Sequence, residues 1–397
     1  MNKKGLAIVT GIGCICAAGA HVDECTATLF SGERRLRHPS RFKSTHKKTY
    51  PVFEVSDEFL PDDLRRREDI HLTSKFGIAA AYEAIENAGM SIEELAKKRV
   101  GICVGTTVGS SMNNEDFYRE FVNKGNPAMT PITRFLRSNP ASAIAREFSL
   151  KGPRQTVVNA CSSGTDAIGI GHSWIRSGLC DIVLAGGTDE LCHVTYNGFI
   201  SLMITDDTPC KPFDKNRNGL NLGEGAGILV LESESSCQGR KGHARSYVLG
   251  YGSSSDAFHL TAPHPNGEGL KRALAQVMTS CHVEATEISF VNAHGTGTSD
   301  NDRVESAVLN ELLPGVPFLS TKGYTGHALG AAGAIEAVLT IVCLETGRIP
   351  ASAGFSIPDP ELPVSPVRKT TAVNDSVALS QSLAFGGSNG VLLFKNG

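Results

Sequence analysis

One stretch of the chain joins a strand, a sharp turn and a helix, and it restricts the fold more than any other. The β-branched run at residues 156–158 predicts a buried strand, and the Gly/Ala/Ile-rich segment that continues to about residue 177 predicts a buried helix. Cys161 lies between them. A helix N-terminus favours an anion, so we expect a thiolate that is nucleophilic at neutral pH. Cysteine is also a common core residue, and the turn alone leaves both interpretations open.

The composition describes a globular protein without a bias toward nucleic acid or a membrane surface. The 397 residues suffice for one large or two medium domains, and 38 Lys and Arg against 41 Asp and Glu leave a net charge of −3. The eleven cysteines include no Cys-x-x-Cys pair, and the N-terminus lacks a signal-peptide pattern. We therefore expect a cytoplasmic protein with mostly buried thiols. The apolar run at residues 328–344 contains Glu336 and predicts a buried helix rather than a membrane span.

Strand-like and helix-like runs alternate along the chain, which predicts an α/β architecture. Gly/Ala-rich helical segments at residues 161–177 and 327–344 suggest two similar halves, which we place at residues 1–250 and 251–397. Residues 11–16, Gly-Ile-Gly-Cys-Ile-Cys, superficially match a dinucleotide fingerprint, but Cys16 occupies the place of the third Gly or Ala. We interpret residues 6–10 as a strand and residues 11–16 as the turn that follows it.

Three glycine-rich loops next to strands carry the polar residues of the second half. They span residues 292–298, 320–327 and 383–390. In α/β proteins the strand ends build the binding sites, so two histidines and a lysine on such loops predict a catalytic site shared with the cysteine. These residues are His294, His327 and Lys322. Residues 386–390 also match the Gly-x-Ser-x-Gly elbow of serine hydrolases, but a strand instead of a helix follows, so we reject that interpretation.

Six motifs, in one order over nearly the whole chain, resemble those of the elongating β-ketoacyl-[acyl carrier protein] synthases. They read IVTGIG, NACSSG, PFDKNRNGLNLGEGAG, NAHGTGT, STKGYTGHALGAAGAIEA and AFGGSNG. This family comprises the Cys-His-His condensing enzymes of fatty-acid and type II polyketide synthesis. The resemblance implies a thiolase-like fold, with two similar βαβαβαββ halves in a layered α-β-α-β-α arrangement. The first half would carry the nucleophilic cysteine, and the second the two histidines and the lysine.

The resemblance also implies a division of labour in the site. Cys161 would take an acyl group from its carrier thioester, with the backbone N–H groups of Cys161 and Phe385 as the oxyanion hole. His294 and His327 would hold the malonyl thioester carbonyl while CO₂ leaves. The resulting enolate would attack the acyl thioester and give a 3-oxoacyl product two carbons longer. Lys322 would orient and support the second histidine.

Other site residues are implied in the same way. Lys322 has a second explanation as part of a buried ion pair with Asp302 or Glu305, and one pair can serve both roles. Phe385, Gly386 and Gly387 would form the gating loop, and Thr296 and Thr298 would bind the phosphopantetheine arm of the carrier. A candidate monovalent-cation site comprises Asn292, Glu336, Ser388 and Asn389. No other cofactor is implied.

Two departures from the family pattern concern the acyl tunnel. The gating loop of the family commonly reads Gly-Phe-Gly-Gly with another phenylalanine before it, whereas Leu383, Ala384 and Phe385 stand here. By the resemblance, Val108 would stand at the floor of the acyl pocket, where isoleucine is often found. We therefore expect a longer, unsaturated or polyketide-like acyl chain. Three arginines at residues 65–67 could dock an acidic carrier protein, although Glu and Asp follow them.

Two other classes of protein compete with this interpretation. A degradative thiolase needs a second cysteine near the C-terminus, and residues 383–390 contain none. A chain-length subunit that pairs with a ketosynthase lacks the nucleophile, whereas this chain has Cys161. The chain could still be the active half of such a heterodimer. Family members dimerise through the strand before the cysteine, here residues 155–159, so we expect a homodimer or a heterodimer.

Overall fold

The computed structural model describes residues 6–44, 46–107, 114–373 and 376–397. The strands are β1 (Ala7–Cys16), β2 (Val100–Gly105), β3 (Arg154–Val157), β4 (Ile182–Asp189), β5 (Gly225–Ser233), β6 (Ser246–Ser255), β7 (Ile288–Asn292), β8 (Phe318–Leu319), β9 (Arg348–Ile349), β10 (Thr371–Ala372), β11 (Val377–Ala384) and β12 (Ser388–Asn396). The helices are α1 (Val22–Ser31), α2 (Asp62–Arg65), α3 (Leu72–Asn87), α4 (Ile92–Leu95), α5 (Glu115–Lys124), α6 (Thr130–Arg137), α7 (Pro140–Glu147), α8 (Ser163–Arg176), α9 (His193–Ser201), α10 (Glu234–Gly239), α11 (Glu268–Cys281), α12 (Ser299–Leu312), α13 (Lys322–Thr325) and α14 (Ala332–Thr346). Single 3₁₀ turns lie at Asp57–Phe59, Ala285–Glu287, Leu329–Ala331 and Phe385–Gly387.

Ten of these strands form one continuous sheet whose two halves repeat one another. The strand order is β3-β2-β4-β5-β1-β6-β12-β11-β7-β8. From the β3 edge inward, the β3–β2 and β2–β4 pairs of the first half are parallel, and the β4–β5 and β5–β1 pairs are antiparallel. From the β8 edge inward, the second half gives the same series. The two halves meet where β1 pairs with β6. The predicted division at residue 250 falls within β6, the strand at this junction.

Two buried helices, α8 and α14, pack between the half-sheets and give the predicted layered arrangement. Helix α8 packs on β2 and β4, α14 packs on β5 and β11, and the two helices contact each other. Glycine permits their close approach, because a Cβ on Gly164 would lie 2.8 Å from the carbonyl oxygen of Gly330. Helix α3 covers the outer face of the first half-sheet, and α11 covers β6 and β12 of the second. The strand ends that carry the polar loops therefore converge around the central helices.

The apolar segment around α14 is a core helix. Residues 329–346 are long and apolar enough to cross a membrane, but 89% of this window is buried inside the protein. Packing on both half-sheets therefore explains the composition of this segment. Glu336 lies within it and is 1% exposed, so its carboxyl group needs a partner inside the protein.

The first strand is longer than the sequence indicated. We interpreted residues 11–16 as a turn after a short strand, but β1 continues to Cys16 and pairs with β5 along this length. The register shifts between Val9 and Gly11. A Cβ on Gly11 would lie 2.0 Å from the carbonyl oxygen of Ala84 in α3, so glycine is required for the packing of the helix against the strand. These glycines permit packing and form no loop for a dinucleotide.

Candidate active site

The predicted elbow places Cys161 between β3 and α8, immediately before the N-cap residue Ser162. Ala160 has a φ of 47°, a left-handed conformation that costs a non-glycine residue about 1–3 kcal/mol. Local bonds hold this turn, since the Ser163 hydroxyl accepts from the Asn159 N–H at 2.8 Å and donates to the Ala160 carbonyl at 2.6 Å. The strained turn therefore fixes the position of the Cys161 sulfur, whose residue is 4% exposed.

The Cys161 thiol faces His327 in a buried environment. The distance from His327 Nε2 to Cys161 Sγ is 3.1 Å. Burial raises the pKa of the Cys161 thiol to about 11, although the Lys322 charge and the Phe385 backbone N–H favour the thiolate. In the substrate-free protein, desolvation therefore opposes the thiolate that the helix N-terminus is expected to favour. Nucleophilic attack requires a base, and His327 is in place to accept the proton.

Both histidines are neutral at physiological pH. His294 follows β7, His327 follows α13, and their ring centroids are 5.2 Å apart at nearly a right angle. Burial, reinforced by the charge of Lys322, holds the pKa of each imidazole well below its ordinary value. A neutral imidazole can accept a proton at one ring nitrogen and donate a hydrogen bond from the other. The pair can therefore serve a thiol and a carbonyl oxygen within one cavity.

Lys322 organises the first of these imidazoles. Its ammonium donates to the His294 carbonyl at 2.7 Å, lies 3.1 Å from His294 Nδ1 and contacts the Glu336 carboxylate. Because an ammonium has no acceptor, His294 Nδ1 must accept, and the ring proton is then on Nε2. Lys322 therefore selects the tautomer of His294 that presents an N–H on the side away from the lysine.

The predicted charge partners of Lys322 were wrong. Glu305 accepts the N–H groups of His294 and Gly295 at 2.6 and 2.7 Å. Asp302 accepts the Phe213 N–H at 2.6 Å and the Gly297 N–H at 3.2 Å. Both acids, on α12, are occupied in holding loop backbone around His294. The carboxylate that Lys322 contacts is that of Glu336, on α14. Its position as an acid within the apolar run at residues 328–344 is the sequence feature that could have indicated this partner.

The gating loop adjoins the thiol. The Phe385 N–H is directed at the Cys161 sulfur, and the Phe385 ring stacks on Phe199 with centroids 5.5 Å apart. Gly386 and Gly387 have φ values of 84° and 83°, so the turn after the phenylalanine requires glycine. The Phe385 N–H is therefore a candidate donor to an oxygen that develops charge next to the Cys161 sulfur, as the predicted oxyanion hole requires.

A cavity of about 320 Å³ connects the thiol to the surface. Its lining includes Cys161, both histidines, Phe385 and the two predicted pantetheine-binding residues, Thr296 and Thr298. The hydroxyl groups of these threonines lie 2.8 Å apart. The cavity therefore offers polar groups along its wall and an acceptor for an acyl group at its end. Val108, predicted to form the floor of the acyl pocket, lies outside the described residues.

The candidate cation site stays a prediction: among the described residues, Asn292 Oδ1 and Glu336 Oε2 are buried without a hydrogen-bond partner, whereas other groups of the four are engaged elsewhere. The Glu336 carboxylate contacts Lys322, and the Asn292 amide donates to the Glu336 carbonyl at 3.2 Å. Ser388 donates instead to the Asn159 side chain at 3.0 Å, and Asn389 donates to Asp256 at 2.9 Å. A lysine ammonium already supplies the positive charge beside Glu336. We derive no step that uses a metal ion.

The arginines at 65–67 form ion pairs with neighbouring acids. Arg65 and Arg66 both contact Asp62, and Arg67 contacts Asp69 and Glu147. Exposed pairs of this kind are weak, and the Arg66 side chain remains 76% exposed. The run is therefore a partly neutralised surface segment.

The repeated half-sheets and a buried thiol beside two neutral imidazoles define a thiolase-like acyl-transferring condensing enzyme. Two family models, described as the N-terminal and C-terminal domains of beta-ketoacyl synthase, match residues 7–236 and 245–356. The chain belongs to the β-ketoacyl synthase family.

Named relatives and solved structures agree with this assignment. The chain is 30% identical to 3-oxoacyl-[acyl-carrier-protein] synthase 2 of Staphylococcus aureus, with 100% of this chain and 99% of the relative covered. It is 33% identical to the enzyme of the same name from Synechocystis sp., with coverage of 99% and 98%. Among structures, the ishigamide ketosynthase/chain length factor superposes with a TM-score of 0.92 at 32% identity, covering 99% of this chain and all of that one. A ketosynthase in complex with its chain length factor from Xenorhabdus doucetiae gives 0.83 at 28% identity, covering 100% and 99%.

Proposed function

We propose that this protein catalyses the decarboxylative condensation of an acyl group on Cys161 with malonyl-[acyl carrier protein]. The product is a 3-oxoacyl-[acyl carrier protein] two carbons longer than the acyl group. One observation carries the residue-level proposal: the thiol lies 3.1 Å from His327 Nε2, and the second imidazole lies next to His327 at the same end of the cavity. A nucleophile, a base and two potential hydrogen-bond donors to an enolate thus share one buried space.

In the first step, Cys161 exchanges thioesters with an acyl carrier. The sulfur attacks the thioester carbonyl while His327 accepts the thiol proton, and the oxygen charge develops between the N–H groups of Cys161 and Phe385. When the intermediate collapses, the carrier sulfur leaves and takes the proton from His327. The balance is one acyl–cysteine thioester formed, one acyl–carrier thioester broken and one carrier thiol released.

In the second step, malonyl-carrier loses CO₂. The electrons of the breaking carbon–carbon bond pass into the thioester enolate, whose oxygen accepts hydrogen bonds from the Nε2–H groups of His294 and His327. For His327 this requires the other neutral tautomer, so its ring proton moves from Nδ1 to Nε2 between the two steps. Neutral donors are sufficient because the cavity excludes water and strengthens each bond. The enolate carbon then attacks the acyl–Cys161 carbonyl. The Cys161 thiolate leaves, and one proton from solvent converts it back to the thiol, as its raised pKa requires. The balance is one acyl–cysteine thioester broken, one carbon–carbon bond broken and one formed, CO₂ released and one proton consumed.

Lys322 acts through His294 in this scheme. Its bond to Nδ1 keeps the Nε2–H tautomer, and burial together with the lysine charge lowers the pKa of the imidazole and keeps it neutral. Glu336 balances the buried ammonium. Thr296 and Thr298 are positioned to bind the phosphopantetheine arm, which the carrier brings with its substrate. We place the reaction in the cytoplasm, in agreement with eleven free cysteines that are all buried.

The direct experiment mixes the pure protein with malonyl-carrier and a panel of acyl-carriers that includes polyunsaturated chains. Mass spectrometry follows the mass of the Cys161 peptide and of the carrier. We expect the peptide to gain the acyl mass and the carrier to appear as the 3-oxoacyl form two carbons longer. Acylation without any extended product, in the presence of every acyl chain, would refute the condensation.

An exposed sheet edge favours pairing with a second chain, either another copy of this protein or a chain-length-factor-like subunit. Strand β3 ends the sheet and is partly exposed, and Val158 after it is 66% exposed. An edge strand of this kind pairs readily with another chain. We propose that this edge pairs with β3 of a second copy or with the equivalent strand of a related subunit. Native mass spectrometry of the protein expressed alone tests this: a dimer of active chains supports the homodimer, and an inactive monomer supports the heterodimer.

A further inference from the structure

Three cysteines outside the active site form a compact cluster of sulfur atoms. Cys14 and Cys16 lie on β1, and Cys25 lies on α1. The Cys25 sulfur is 3.6 Å from that of Cys16 and 4.0 Å from that of Cys14, and all three lie within 4.8 Å of one another. Each residue is 0% exposed. None of them takes part in the proposed condensation.

The spacing of the sulfurs matches that of a thiolate metal site. With a metal–sulfur distance near 2.3 Å, a trigonal ion separates its sulfurs by roughly 4.0 Å and a tetrahedral ion by roughly 3.8 Å. The measured separations of 3.6 and 4.0 Å need little movement to reach either value. The three sulfurs are therefore positioned to share one ion.

The number of ligands distinguishes the candidate ions. Within the described part of the chain, no histidine, carboxylate or further cysteine joins the group of three. Glu83 approaches most closely to this region, but its oxygens accept the N–H groups of Cys14 and Val22 at 2.8 and 2.7 Å. Structural zinc sites almost always have four ligands, whereas soft sulfur ligands also select monovalent copper. Three sulfurs in a dry pocket suit Cu⁺ better than Zn²⁺.

The surrounding backbone also suits a thiolate ligand. Cys25 lies near the positive N-terminus of α1. The turn that joins β1 to α1 passes from buried Ala18 to exposed His21, so the cluster lies directly beneath the surface turn. Opening of this turn, or loading before folding is complete, would admit an ion.

We propose that Cys14, Cys16 and Cys25 form a three-sulfur binding site for monovalent copper that ties α1 to β1. Binding converts thiols into thiolates, and the protons released pass to solvent. No oxidation is involved. The site is independent of the condensation reaction and of its partner.

The test titrates Cu⁺ under anaerobic conditions against a chromogenic copper chelator. The chain used carries Cys161→Ala, because the active-site thiol would itself bind a soft ion. We compare Cys16→Ala and Cys25→Ala in this background. The control is Cys237→Ala, which removes a buried cysteine outside the cluster. Circular dichroism establishes that each variant is folded.

We expect one tightly held Cu⁺ per chain in the Cys161→Ala protein and in its Cys237→Ala derivative, and at least a tenfold weaker binding in the other two variants. X-ray absorption on the Cys161→Ala protein should show three sulfur neighbours, a result that does not depend on the folding of any cluster variant. Unchanged binding in Cys16→Ala, two or fewer sulfur neighbours, or Zn²⁺ held more tightly than Cu⁺ would overturn the proposal.

Discussion

Replacing Lys322 by methionine separates the structural role of the buried lysine from its effect on His294. The substitution keeps most of the volume but leaves Glu336 buried without its ammonium partner. Removing one partner of a buried ion pair costs about 3–5 kcal/mol of unfolding free energy. The loss of the bond to His294 Nδ1, 3.1 Å long, removes a charge-assisted hydrogen bond worth about 1.5–3 kcal/mol. If that bond supports the tautomer in the transition state, decarboxylation slows by about 10- to 160-fold.

The double variant Lys322→Met/Glu336→Leu tests this reasoning. It removes both charges, and apolar replacements of buried ion pairs are often neutral for stability. We therefore expect urea unfolding to show that the double variant regains most of the lost stability. Its rate of CO₂ release from malonyl-carrier should stay as low as that of Lys322→Met. Recovery of this rate to within about threefold of wild type, together with stability, would show that Lys322 only balances Glu336 and would refute its role in positioning His294.

Three further predictions concern the thiol, the elbow and the surface. Burial raises the pKa of the Cys161 thiol to about 11. The rate of its alkylation by iodoacetamide should therefore rise about tenfold per pH unit from pH 7 to 9. A rate that is constant over this range would reveal a preformed thiolate. Asn159→Ala removes the hydrogen bonds of the Asn159 side chain to Asp166 and Ser388, whereas Ser388→Ala removes only the Asn159–Ser388 bond. Acylation of Cys161 should therefore slow more in Asn159→Ala than in Ser388→Ala. Equal acylation rates would contradict a role of the Asn159–Asp166 bond in holding the elbow. Reversing the charges of the arginines at 65–67 should raise the KM for carrier substrates and flatten its salt dependence, and an unchanged KM would assign the run to local ion pairs.

The sequence predicts much of the fold because its strands and helices have distinct patterns. The buried helix predicted after Cys161 is α8, and the buried helix predicted at residues 328–344 is α14. The loops with the two histidines and Lys322 could be placed together because each adjoins a strand end or a central helix. Strand β1 was underestimated, since glycines and cysteines resemble a turn until their packing against α3 is known.

The remaining features depend on burial and on side-chain direction, which local patterns do not encode. Burial raises the pKa of the Cys161 thiol and opposes the effect of the helix N-terminus, and the sequence pattern does not encode how far the sulfur is desolvated. The partner of Lys322 depends on the rotation of α14 about its axis, which places Glu336 toward the lysine. The cluster of Cys14, Cys16 and Cys25 joins a strand to a helix, and the spacing of its members matches no common ligand motif.

The central claim is that one thiol carries the acyl group while two neutral imidazoles stabilise the enolate. The most direct measurement compares CO₂ release and Cys161 acylation in folded Cys161→Ala and His294→Ala proteins. We predict that Cys161→Ala still releases CO₂ from malonyl-carrier. His294→Ala should become acylated but release CO₂ at least about 100-fold more slowly than wild type, which corresponds to a loss of roughly 3 kcal/mol of transition-state stabilisation. Decarboxylation at the wild-type rate in His294→Ala, or its complete loss in folded Cys161→Ala, would contradict this division of roles.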